Sequence, residues 1–86
     1  MSGRRLILAD ETTIENGEAG YAGGYLWCYV SGMAMDKAAR IFCDPKKTAV
    51  IRFHYGDMED AYAGYTQCQN ISMDADGQIS VCMVKG

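Results

Sequence analysis

Hydrophobic and polar positions alternate most regularly between Thr48 and Thr66. From Ala49 onward, Ala49, Ile51, Phe53 and Tyr55 alternate with Val50, Arg52 and His54, a period of two with one apolar and one largely polar face. This predicts a half-buried strand whose register is set by burial. The next five residues, Gly56-Asp57-Met58-Glu59-Asp60, gather a glycine and three carboxylates, which favour a solvent-facing reversal. They predict a hairpin tip. On the return, Tyr62, Gly64 and Thr66 alternate with Ala61, Ala63 and Tyr65, the small residues leaving room for tyrosine rings on neighbouring strands.

The remaining periodicities complete a coarse map. Leu6 to Ala9 is a short apolar run, and Asp10-Glu11-Thr12-Thr13 precedes Ile14, which predicts a small opening hairpin. Asn16 to Gly24 holds four glycines and reads as a loop, because glycine weakens helices and strands entropically. Tyr25 to Val30 is apolar on both faces and predicts a central strand. Between Met33 and Asp44 the period changes: Met35, Ala38, Ala39 and Phe42 share one helical face, with Asp36, Lys37 and Arg40 towards the other. Asp44-Pro45 is read as the stop of this one helix. In the last third, apolar matching sets Met73 opposite Ile79 and Ile71 opposite Val81. Asp74 then faces Gln78 across Ala75-Asp76-Gly77, a loop whose glycine takes the left-handed position. The same register sets Cys82 against Asn70 and Cys68 against Val84. The predicted fold class is α+β: an antiparallel β-sheet of about five to six strands in hairpins, with one short helix packed on one face.

Length and charge narrow the function classes. The 86 residues make one domain, and 8 Lys and Arg against 11 Asp and Glu give a net charge of −3 without a basic block. Direct binding of nucleic acid is therefore not expected. No apolar run approaches the roughly 20 residues that span a bilayer, and the start offers no secretory apolar segment. The expectation is a cytoplasmic protein with no membrane partner.

Each candidate site has a structural explanation beside a functional one. Cys28, Cys43, Cys68 and Cys82 equal the number of ligands in a structural zinc site. They lack the paired C-x2-C spacing of such sites, so four reduced, packed thiols is the leading reading, with no metal and no cofactor. His54 is the only histidine and reads as a surface residue of a strand, without a nucleophile elbow near it. Asp74, Asp76 and Gly77 lack the other ligands of a calcium loop, and Gly17, Gly20, Gly23 and Gly24 make no phosphate-binding motif. No catalytic constellation is visible, and a non-enzymatic protein is expected. Two features carry functional content. The acidic tip with Asp57, Met58, Glu59 and Asp60, flanked by Tyr55 and Tyr62, suits a basic groove on a protein partner. Tyr21, Tyr25, Trp27, Tyr29 and Tyr65 add aromatic surface beyond what one small core requires, for a partner or a second copy of the chain.

Taken together, LILADETTIENGEAGYAGGYLWCYVSG, MDKAARIFCDPKKT and IRFHYGDMEDAYAGYTQC resemble small proteins of temperate phages of gut clostridia. The shared pattern is a D-x-T-x-I opening, an aromatic strand ending in glycine, a D-P-x-K-T stop and a Y-G-x-M-x-D-x-Y hairpin. Ala34 stands where a threonine-like helix cap is found in that pattern. The resemblance implies a phage protein acting in the cytoplasm of an infected bacterium. Phage proteins of this size are often inhibitors that cover the surface of a host defence enzyme, as anti-CRISPR proteins do. The expectation is an acidic, partner-binding inhibitor of host antiviral defence. Two alternatives stay open: an accessory protein of the phage tail or baseplate, and an oligomeric sponge for a signalling nucleotide, with Arg4, Arg5, Arg40, Lys46, Lys47 and Arg52 converging between copies.

Overall fold

Eight antiparallel strands divide between two four-stranded sheets in the computed structural model, which describes residues 3–86. The strands are β1 (Arg4–Leu8), β2 (Thr13–Glu15), β3 (Glu18–Ala22), β4 (Tyr25–Val30), β5 (Val50–Tyr55), β6 (Met58–Ala63), β7 (Gln67–Met73) and β8 (Ile79–Val84). Two helices, α1 (Met35–Phe42) and α2 (Pro45–Thr48), lie between β4 and β5. The first sheet has the order β2-β1-β5-β6 and the second β3-β4-β8-β7. The α+β class and the antiparallel hairpins agree with the sequence pattern. A single sheet of five to six strands does not, because the chain crosses from one sheet to the other between β2 and β3, returns through the two helices between β4 and β5, and crosses again between β6 and β7.

The first crossing depends on glycine. Gly17 is buried, and a Cβ there would meet Leu6 Cγ at 2.9 Å, so a side chain would push into the core at the corner. Asn16 supports the corner with a φ of +60°. The expected loop from Asn16 to Gly24 is thereby corrected. Gly23 and Gly24 alone form a turn, with φ of +61° and +86°, the two-residue geometry that matches strand twist. Gly20 sits inside β3, opposite Trp27.

Leu6 and Leu8 of β1, Ile14 of β2 and Ile51 of β5 face Leu26, Cys28 and Val30 of β4 and Ile79, Val81 and Met83 of β8 in one buried cluster. Helix α1 packs against β7 and β8 and adds Ala38, Ile41 and Phe42. Fully burying side chains of this size contributes about 1.5–3 kcal/mol each. Strand β4 is central, as its pattern predicts, with Leu26, Cys28 and Val30 inward and Tyr25, Trp27 and Tyr29 on the outer face.

Helix α1 is shorter than the stretch from Met33 to Asp44, and its N-cap, Ala34, makes no side-chain hydrogen bond. The Asp44-Pro45 stop holds, but it also starts α2: Asp44 Oδ1 accepts the Lys46 N–H at 3.0 Å and Pro45 takes the first turn. The β7–β8 hairpin has Met73 opposite Ile79, Ile71 opposite Val81 and Asn70 opposite Cys82. A bulge between Cys68 and Asn70 moves Cys68 opposite Met83 instead of Val84. The bulge adds a residue that no local pattern announced.

Candidate functional site

The β5–β6 hairpin is built on a shorter turn than its acidic sequence suggests. Tyr55 pairs with Met58, leaving only Gly56 and Asp57 in the loop. Gly56 has a φ of +59° and Asp57 a negative φ, the geometry of a turn with glycine at its first central position. Met58, Glu59 and Asp60 therefore belong to β6, and β6 ends at Ala63, where Gly64 turns with a φ of +88°.

Strand alternation then divides the acidic group. Cross-strand partners share a face, so Ile51, Phe53 and Tyr55 lie with Tyr62, Asp60 and Met58 on the inward side. Glu59 lies on the other side with His54, its carboxylate 3.5 Å from His54 Nε2. Asp57 stands alone in the turn. Of the six residues singled out, the structure brings Tyr55, Met58, Asp60 and Tyr62 onto one surface and separates Glu59 and Asp57 from them.

That surface runs past the edge of the core. Phe53 and Tyr55 stack with ring centroids 4.6 Å apart, Tyr62 is half-buried, and Met58 is 58% exposed. The Tyr55 hydroxyl donates to Asp60 Oδ2 at 3.1 Å. This bond, and the nearby negative charge, push the Tyr55 phenol above its ordinary pKa. Burial does the same to Tyr62, with Asp60 adding to it. The arrangement offers an apolar, aromatic strip with one carboxylate inside it. An open cleft of about 540 Å³ lined by Gly3, Arg4, Asn16, Glu18 and Ser31 lies at the same end of the sheet, since Arg4 is the cross-strand neighbour of Tyr55. Its wall is closed by the Arg4–Glu18 ion pair at 2.8 Å.

The other candidate residues fall into structural positions. His54 is half-buried rather than a surface histidine, and its Nε2 has no hydrogen-bond partner among the described residues. Asp74 Oδ1 accepts the N–H groups of Asp76 and Gln78, each at 2.9 Å, and Gly77 has a φ of +85°, so this carboxylate closes a turn. Cys28 pairs with Val81 and Cys82 with Trp27, which puts the two thiols on opposite faces of the second sheet. Among the described residues no three His, Cys, Asp or Glu side chains form a metal-sized group. Burial pushes the Cys28 thiol up to about 12.

Two associations across the fold had no local sequence signal. Cys43, exposed at the end of α1, is a neighbour of Cys68 on β7. Burial first, and then this neighbour, raise Cys68 to about 11. Tyr21 and Tyr65 meet edge to face with centroids 6.1 Å apart, and Lys85 Nζ lies 5.7 Å from the Tyr65 centroid.

No family model matches the chain, and no curated protein or solved structure does. No helix among the described residues is long and apolar enough to cross a membrane.

Proposed function

We propose that this chain is a non-enzymatic protein that binds another protein through the inward surface of the β5–β6 hairpin. The reading is supported above all by one observation: Met58 stands 58% exposed opposite Tyr55, on the same face as Phe53 and Tyr62, at the edge of a sheet. Aromatic and methionine side chains grouped at such an edge suit the apolar centre of a small interface, and Asp57, Glu59 and Asp60 suit a basic rim on the partner. With the resemblance to small proteins of temperate phages of gut clostridia, the partner is a host defence effector, and the protein is an anti-CRISPR-like inhibitor acting in the bacterial cytoplasm. The nucleotide-sponge alternative is less well supported, because Arg4, Arg40, Lys47 and Arg52 each pair with a carboxylate of their own chain.

The test is an interference assay with purified host effectors, read together with complex formation on a sizing column. Protection from the effector and a stable complex are expected, and both are lost when Asp57, Glu59 and Asp60 are replaced by lysine. An effector that stays fully active and forms no complex with the wild-type chain would sink the reading. Full activity of the triple variant would move the contact to the aromatic outer face at Tyr25, Trp27 and Tyr29.

A further inference from the structure

The hydrogen bonds of the β5–β6 ladder identify which backbone groups of β6 point away from β5 and have no strand partner among the described residues. Gly64 N–H donates to Ala49 C=O at 3.0 Å, and these two residues continue the register that pairs Val50 with Ala63. In an antiparallel ladder, mutually bonded pairs alternate with pairs whose N–H and C=O groups point away. The bonded pairs are therefore Ile51 with Tyr62, Phe53 with Asp60 and Tyr55 with Met58. Glu59, Ala61 and Ala63 aim their N–H and C=O groups outward, along the free edge of the first sheet.

The other sheet edges are blunted. Strand β2 has three residues. Strand β3 runs beside β1 and β5 of the facing sheet. Strand β7 carries a bulge and lies against α1. Bulges, short strands and covering helices are the usual protections of a sheet edge. Strand β6 has none of these three: it is six residues long and unbulged, and its only guard is charge, Glu59 and the inward Asp60, which repels acidic or apolar strands and leaves the edge open to a basic one.

We propose that β6 is a docking edge for strand addition, and that its occupant is an extended segment of a partner protein carrying two adjacent basic residues between apolar ones. This deepens the partner-binding reading above and rests on it. A strand added to β6 places each residue on the same face as the β6 residue opposite it. Opposite Met58 and Tyr62 the inward face takes apolar side chains, and opposite Asp60 it takes a cation. Opposite Glu59 the outer face takes a second cation, while Ala61 and Ala63 leave room for bulky groups. A second copy of this chain is a poor occupant. It would bring Glu59 and Asp60 of both copies onto one short ribbon, and facing like charges destabilise strand pairing.

The experiment is an amide NMR titration with a capped peptide of the sequence threonine-valine-threonine-lysine-lysine-valine-threonine. In the free protein the amides of Glu59, Ala61 and Ala63 are expected to exchange rapidly with solvent, and those of Asp60 and Tyr62 slowly. Peptide should slow the first three at least tenfold and shift their resonances. Replacing both lysines of the peptide by glutamate should abolish the effect, and 0.5 M salt should weaken binding several-fold by screening. Ala61→Pro removes one outward N–H at a position where an edge strand tolerates proline, and should weaken binding at least tenfold. The exchange measurement on the wild-type chain decides the matter even if that variant folds poorly. Unslowed Glu59, Ala61 and Ala63 amides at saturating peptide overturn the proposal, as does slowing of the same amides by protein concentration alone, which would make the occupant a second copy. An Ala61→Pro variant that folds and still inhibits the effector overturns strand addition while leaving partner binding intact.

Discussion

The β5–β6 and β7–β8 hairpins follow one another in the chain and have the same plan, yet they differ in what they bury. Each places one strand inside a sheet and the other at its edge. In the second hairpin the inner strand is nearly all buried, with Ile79, Val81 and Met83 inaccessible, and the edge strand is bulged, polar and braced by α1. In the first, only Ile51 of β5 is fully buried, and β6 leaves Met58 and a free row of backbone groups in solvent. A small protein that must hold its fold and also offer a sheet edge can assign these tasks to separate hairpins. Here β8 supplies three inaccessible side chains to the core and β5 only one, while β6 holds the most exposed methionine of the described residues.

The strongest way to break this comparison is to truncate one apolar side chain in each hairpin. Ile79→Ala removes a fully buried side chain and should cost about 2–5 kcal/mol in urea unfolding. Met58→Ala should stay within about 0.5 kcal/mol, because the side chain is mostly in water. Equal losses would show that both hairpins are structural. A milder version compares the turns. Asp74→Ala removes the acceptor of two backbone N–H groups and should cost about 1 kcal/mol. Asp57→Ala, in a turn whose conformation is carried by Gly56, should be close to neutral in the same measurement.

The two hairpins also differ in how much of them could be read from sequence. In β7–β8 the apolar register, the three-residue loop and Gly77 are all local and agree, so the pairing from Asn70 onward followed directly. The bulge beyond it did not, because an extra residue at Gln69 leaves no mark on a polar edge. In β5–β6 the residues of the surface were visible but their placement was not. A five-residue tip and a two-residue turn have the same composition, and only the latter puts Glu59 and Asp60 on opposite faces. Division into two sheets was hidden for a longer-range reason: it depends on Gly17 passing over Leu6, a contact between residues in different strands. Glycine content makes Asn16 to Gly24 read as a loop, whereas only Gly23 and Gly24 occupy the turn between β3 and β4.

Thiol chemistry sharpens the comparison without perturbing the fold. Cys28 and Cys68 lie on the inward side of the second sheet, pushed up to about 12 and about 11 chiefly by burial. Cys43 is exposed. Iodoacetamide at pH 8 should therefore alkylate Cys43 first and leave Cys28 unmodified for hours, as read by mass spectrometry of peptides. Early modification of Cys28 would mean that the second sheet opens readily and that its buried face is not a rigid scaffold.

The smallest effect is expected at the Tyr55–Asp60 contact, which lies only in the first hairpin. The hydrogen bond to Asp60 raises the Tyr55 pKa above the unfolded value of 10.0. For a group shifted upward, the linked stability is complete below the unfolded pKa and is lost as pH rises through the folded one. The contact is thus constant across neutral pH and weakens only above about pH 10. Ring-carbon NMR of labelled tyrosines should show Tyr55 ionising late, and Asp60→Asn should bring it back towards its ordinary value by removing the neighbouring charge. The β6 amides at Met58 and Asp60 should begin to exchange faster in that same alkaline window, while Ile79 and Val81 in β8 stay protected. Simultaneous loosening of both hairpins would show that the tip is locked to the core, and an edge so locked would have little freedom to adapt to an added strand.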